Sequence, residues 1–134
     1  MALITAEQVA AAYAALATGE RDRIAEYWAE DMRWLVPGHN RLSGWKDNLD
    51  EFIGFMAAVG QLSDNSFRMD SIAVMFADDF SADVTHNLGN RAGEPGRVLD
   101  IDVIHFLKWR DGKVIEGRGV IFGDGIAQYD AFLA

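Results

Sequence analysis

Cysteine is absent from the 134 residues, which excludes disulfides, thiolate nucleophiles and cysteine-bound metals. That absence suits a reducing compartment, and the cytoplasm is the expected location. Long apolar runs are missing as well: nowhere do ~18 apolar residues follow one another, so no membrane-spanning helix is expected. Met1 to Ala6 lacks a charged n-region and a long apolar h-region, so a signal peptide is not expected either. Basic charge is scarce, with 12 Lys+Arg against 21 Asp+Glu and a net charge of −9. The basic residues do not cluster, so a phosphate backbone would be repelled and nucleic acid is not an expected partner. Repeats, linkers and low-complexity segments are lacking too, and the length fits one domain, residues 1–134.

What is present alternates between two periods. Thr5-Ala6-Glu7-Gln8 reads as a capping box opening a helix in which Val9, Ala12, Tyr13 and Leu16 share a face, ended by Thr18-Gly19. A shorter helix is expected over Ile24, Tyr27 and Trp28. Residues 32–36 alternate like a strand closed by Pro37-Gly38, and residues 39–46 read as an irregular loop. Asn48 with Glu51 caps a third helix whose stripe is Leu49, Phe52, Ile53, Met56 and Val59, stopping at Gly60.

From Ser66 the period becomes two, over about 66–77, 80–90, 97–109 and 113–122. The turns between these segments are Asp78-Asp79, Gly93-Glu94-Pro95-Gly96 and Asp111-Gly112, short enough to imply antiparallel pairing. Ile126 to Leu133 reads as a closing helix. The expected fold is α+β, a curved antiparallel sheet covered by N-terminal helices.

Alternation assigns faces. In "DVIHFLKW" His105 belongs to a row with Leu99, Ile101, Val103, Leu107 and Trp109, which should face the helices. On the preceding strand the apolar row is Phe80, Ala82, Val84, His86 and Leu88, with Asp83, Thr85 and Asn87 opposite. On the last strand the row Ile115, Gly117, Gly119 and Ile121 leaves space on the covered face, as a cavity requires. The other face carries Ile104, Phe106, Val120 and Phe122 among Asp100, Asp102, Glu116 and Arg118, too apolar for a free surface. A homodimer through Ile104, Phe106, Arg118 and Val120 is expected there, with Arg118 first as interface residue or ion-pair partner of nearby carboxylates and second as a substrate clamp.

Several stretches together resemble the nuclear transport factor 2-like superfamily, and within it the SnoaL-like and ketosteroid-isomerase-like branch. They are Tyr13 to Glu20, Ala29 to Trp34 with Val36-Pro37-Gly38, Leu42-Ser43-Gly44, His105 to Val114, and Gln128 to Phe132. The resemblance implies a cone-shaped, cystatin-like α+β fold with an internal apolar pocket. It also implies a dimer through the outer sheet face, and no metal or organic cofactor in most members. Ketosteroid isomerases place a general-base Asp near the end of the first strand, where this chain has Val36, so a true ketosteroid isomerase is not expected. Their protonated oxyanion-donor Asp corresponds to His105, and their oxyanion Tyr lies one residue from Tyr13. The Arg and paired Asp of the limonene-epoxide-hydrolase-like members have no counterpart on a cavity row.

His105 is therefore either a core histidine bonded to a backbone carbonyl or Tyr13, or the proton-transfer group of a pocket. The first expectation for function is a largely apolar, cyclic or carbonyl-containing molecule undergoing cofactor-free isomerase, cyclase or dehydratase chemistry at His105. Tyr13 would be the hydrogen-bond donor. The pocket is expected to be lined by Trp34, Val36 and His39, by Phe52, Phe55 and Met56 from the helix, and by Val84, His86, Val103, Leu107, Gly117, Gly119 and Ile121 from the sheet. For Trp28 and the helix aromatics plain core packing is the competing reading. A His86/His105 pair lacks a third ligand at suitable spacing, so metal is not expected. The alternative is a non-catalytic dimeric binding or scaffold module whose pocket holds a ligand or is filled by Trp34 and Trp109.

Overall fold

The computed structural model describes residues 4–134. Its first helix, α1 (Ala6–Thr18), forms behind the expected capping box: the Gln8 N–H donates to Thr5 Oγ1 at 3.2 Å and the Thr5 N–H donates to Gln8 Oε1 at 2.9 Å. Gly19 ends it at φ 68°, a left-handed cap that glycine adopts without strain. The expected second helix is a single turn, α2 (Arg21–Ile24), because Trp28 instead opens a strand, β1 (Trp28–Val36), where it pairs with Val114. Its ring is fully buried and its Nε1–H donates to the Ala12 carbonyl at 3.0 Å, tying that strand to α1.

The stretch expected to be irregular contains a short strand, β2 (Gly44–Lys46), antiparallel to β1. Asn48 Oδ1 accepts the Glu51 N–H and opens α3 (Leu49–Leu62), which runs through Gly60 rather than stopping there. Four strands follow as expected: β3 (Arg68–Ala77), β4 (Phe80–Arg91), β5 (Glu94–Arg110) and β6 (Lys113–Ile121), before α4 (Gly125–Leu133). The Asp111-Gly112 hairpin has both central φ angles positive, 51° and 79°, which matches the twist of the strands it joins.

The sheet order is β2-β1-β6-β5-β4-β3. β3 to β6 form the expected antiparallel meander, but β1 lies parallel to β6, so the sheet is mixed rather than wholly antiparallel. The long connection through α3 permits that pairing, which a short hairpin could not. The core fills the space between the inner sheet face and the helices, with Phe52 from α3, Phe132 from α4 and Val9 and Ala12 from α1 almost completely buried. Among the described residues no helix is long and apolar enough to cross a membrane.

The rows of β5 fall as expected, with Leu99, Ile101, Val103, His105, Leu107 and Trp109 inside. A bulge opposite Lys108 and Trp109 brings Val114 inward, and beyond it Gly117 and Gly119 stand on the inner face. On β4 the expected parity is reversed. Ser81, Asp83, Thr85 and Asn87 are buried, while Val84 and His86 sit on the outer face in register with Ile104 and Asp102. The inversion is stable because the buried polar atoms bond one another or their neighbours: Trp109 Nε1–H to Ser81 Oγ at 2.9 Å, Thr85 Oγ1–H to Asn87 Oδ1 at 2.6 Å.

Candidate functional site

Asp83, placed inward by that reversal, joins the two residues that sequence reasoning singled out. Its Oδ1 accepts the Tyr13 hydroxyl from α1 at 2.9 Å, and its Oδ2 lies 3.1 Å from His105 Nδ1 on the adjacent strand. Asp83 is 2 % exposed and His105 6 %. The strand register fixes this contact, since Asp83 and His105 are directly opposite each other. Burial, with the Asp83 charge beside it, pushes the Tyr13 phenol well above its ordinary pKa, so it stays protonated and keeps donating.

A carboxylate that accepts the phenol hydrogen bond is placed to accept from Nδ1–H as well, the tautomer in which Nε2 carries the lone pair. Among the described residues no group bonds Nε2, yet no buried side-chain nitrogen or oxygen of theirs is left without a partner. Nε2 therefore retains contact with open space. That space is a cavity of about 140 Å³ which His105 lines. It is comparable to the ~150 Å³ apolar cavities that admit a benzene-sized guest.

Of the expected pocket residues, Trp34, Phe52, Phe55 and Met56 line this cavity, as do Val103, Gly119 and Ile121. Val36, Leu107 and Gly117 are buried but packed behind the lining. Gly117 lies beneath the Trp34 ring, which sits where a Cβ would be. Three expectations fail. His39 is on an exposed loop, its N–H donating to Asp130 Oδ1 at 2.9 Å. Val84 and His86 are on the outer face.

His86 is clamped there between Asp102 Oδ1 at 2.6 Å and Asp100 Oδ1 at 2.7 Å. The Asp102 hydrogen bond, reinforced by the Asp100 charge, outweighs partial desolvation and raises its pKa. Because His86 and His105 stand on opposite faces they cannot share a ligand. Among the described residues no group of three or more His, Asp or Glu is placed to hold a metal ion.

Neither tryptophan of the alternative reading fills the cone. Trp34 stacks on Phe52 with ring centroids 4.8 Å apart and leaves the cavity open beside His105, 5.7 Å from its ring. Trp109 lies deeper, held by Ser81. Sequence reasoning missed Asp83, Asn87, Tyr129 and Phe132, all inward-facing. The available signal was the polar row Ser81, Asp83, Thr85, Asn87, which becomes an inner row once Asp83 is put opposite His105.

A helix-backed, cone-shaped mixed sheet with a lined interior defines the nuclear transport factor 2-like, or cystatin-like, class of fold. Residues 9–117 match the model of the SnoaL-like domain, and the chain belongs to that family. Similar solved structures include the Bal32a protein of a soil-derived mobile gene cassette, at 24 % identity and TM-score 0.86, covering 96 % of this chain and 95 % of that one. IdmH of Streptomyces antibioticus, a proposed polyketide cyclase, is 16 % identical at TM-score 0.74, with 92 % and 96 % covered. TerC, crystallised with polyporic acid, is 19 % identical at TM-score 0.76, with 96 % and 97 % covered. No curated protein sequence matches the chain.

Proposed function

We propose that the cavity binds a small, largely apolar ring compound bearing a carbonyl and that the Asp83–His105 pair moves a proton on it without a cofactor, as in an isomerase, cyclase or dehydratase. One observation carries the reading: an imidazole whose Nδ1 lies against a buried carboxylate and whose ring lines a largely apolar cavity. In the proposed step Nε2 removes a proton from carbon next to the carbonyl, the C–H pair becomes the enolate π bond, and the imidazolium returns the proton at another carbon. Asp83 opposite Nδ1 stabilises the transient imidazolium, and the Tyr13 phenol supports Asp83. The carboxylate missing at Val36 is thus supplied from β4 and acts through histidine. The neighbours include a proposed polyketide cyclase, which accords with such chemistry.

The test is α-proton exchange of cyclohexanone in D2O, followed by NMR. Acceleration of about 10²- to 10⁴-fold over buffer is expected from a positioned base, abolished in His105→Gln. No acceleration by a folded wild-type protein overturns the reading.

A second reading concerns the outer face, where Val120 is 58 % and Met75 51 % exposed. We infer that a second copy of the chain docks there. Arg118 and Lys108, with Glu116 across from Lys108, stand towards one end of the apolar rows, and Asp70, Asp100 and Asp102, with His86 between the last two, towards the other. Two copies stacked with their strands reversed bring Arg118 of each copy over the carboxylates of the other. Among the described residues Arg118 makes no ion pair within the chain; its guanidinium lies 5.8 Å over the Phe106 ring. Sedimentation velocity should give a dimer that Val120→Glu converts to monomer; a monomeric wild type would refute it.

A further inference from the structure

The cavity has a second polar end that the proton-transfer reading leaves unused. Asn87 is 4 % exposed, faces inward from β4 and lines the cavity. The Thr85 hydroxyl donates to its Oδ1 at 2.6 Å, which commits the carbonyl of the amide. Its Nδ2 has no acceptor among the described residues, and since no fully buried side-chain nitrogen among them is left unpartnered, that NH₂ meets the cavity.

Tyr129 of α4 lines the same cavity, and its hydroxyl likewise makes no hydrogen bond among the described residues. Two contacts fix where along the sheet it sits. Phe132 lies against Gly89, and Gly125 lies against Ile101, the residue paired with Asn87. Tyr129, between them on the helix, is therefore at the Asn87 end. Burial, aided by Asp130, raises its pKa and keeps it a donor.

Asn87 stands four residues along β4 from Asp83, the partner of His105. That is roughly 13 Å of strand, so donor and base occupy opposite ends of one apolar chamber. Allowing for the reach of the two side chains, the span suits a single six-membered ring with polar groups at its two ends. No Lys or Arg is among the lining residues, so an anionic ligand would find no counter-charge.

We propose that Asn87, with Tyr129 beside it, binds the remote carbonyl oxygen of a neutral ring compound whose acidic C–H faces His105, and so determines which ring compounds are accepted. The proposal rests on the proton-transfer reading only for the His105 end. Thr85 is a positioning residue, holding the amide so that nitrogen rather than oxygen faces the ligand.

Two probes isolate the Asn87 end: cyclohexanone and 1,4-cyclohexanedione, alike in ring size but differing by the remote carbonyl. Titration followed by NMR should show wild type binding the dione about fivefold more tightly than cyclohexanone, beyond the factor of two its symmetry supplies, as expected for one neutral hydrogen bond. The Asn87 side-chain NH₂ signal should shift with the dione and not with cyclohexanone. Asn87→Leu should erase the preference, and the near-isosteric Asn87→Asp, which guards against a folding failure of the leucine variant, should reverse it by repelling the carbonyl. Equal affinities in wild type, a preference that survives in folded Asn87→Asp, or no binding of either ketone overturns the inference. Deuterium exchange is read in the same samples. If exchange is absent while the Asn87-dependent preference persists, the proton-transfer reading fails and the binding inference stands.

Discussion

Removing the Asp83 carboxylate tests the site without knowledge of its substrate. In Asp83→Ala the Tyr13 hydroxyl and the His105 Nδ1–H, bonded at 2.9 and 3.1 Å, both lose their acceptor in a buried position. An orphaned buried donor costs about 1–3 kcal/mol, so the two together cost about 3–5 kcal/mol. For a chain of this length that is a fall in Tm of about 10–20 °C. Asp83→Asn conserves volume and one acceptor, and its loss should be about 1–2 kcal/mol, because charge-assisted bonds become neutral ones while a carboxylate no longer has to be desolvated. The same variant changes the tautomer. With the Asn amide donating to Nδ1, the imidazole proton moves to Nε2 and the cavity loses its lone pair. Urea melts measure the first effect, and long-range ¹H–¹⁵N correlation of the His105 ring nitrogens measures the second. If Asp83→Ala costs less than about 1 kcal/mol, or if Nδ1 is unprotonated in the wild type, the argument for a carboxylate-oriented base collapses.

Two further outcomes follow from contacts away from the dyad. Gly117→Ala drives a methyl into the Trp34 ring, so it should destabilise by about 1–3 kcal/mol and alter tryptophan fluorescence, whereas Gly54→Ala, with open space around the added Cβ, should leave fluorescence unchanged; an unperturbed Gly117→Ala melt would refute the packing. His86, raised in pKa by Asp102 and Asp100, contributes stability that is fully present below the ordinary histidine value of about 6.5 and lost as pH rises through its elevated folded value. Wild type should therefore lose Tm relative to His86→Gln as pH goes from about 6 to about 8, and parallel Tm curves for the two proteins would contradict the clamp.

Element order and most boundaries were legible because they rest on local chemistry: the Thr5 and Asn48 caps, the left-handed Asp111-Gly112 turn and the period of two after Ser66. The parallel pairing of β1 with β6 was not, since it depends on which edge a strand reaches after the intervening chain has folded. The second helix was misread because Ile24, Tyr27 and Trp28 fit helical spacing, while their burial is met by one turn followed by a strand. The inner face of β5 was read correctly from its hydrophobicity, and the same rule failed on β4.

That failure locates the candidate site. Hydrophobicity assigns the inner face only where the interior is apolar and the exterior wet. On β4 the inner row carries the polar partners of Tyr13, His105 and Trp109 together with one cavity residue, Asn87, and the outer row lies on an exposed apolar face. The inversion would be costly if Ser81, Asp83, Thr85 and Asn87 faced an apolar core unpaired, at about 1–3 kcal/mol for each group. Instead all four are bonded, Ser81 to Trp109, Asp83 to Tyr13 and His105, and Thr85 to Asn87, while the Asn87 NH₂ has no partner among the described residues. A purely structural polar row would close all of its bonds on itself. This one leaves an imidazole nitrogen and an amide nitrogen unbonded among the described residues, at opposite ends of a chamber lined mainly by apolar side chains such as Trp34, Phe52 and Val103, the distribution that the proposed binding of a ring compound requires.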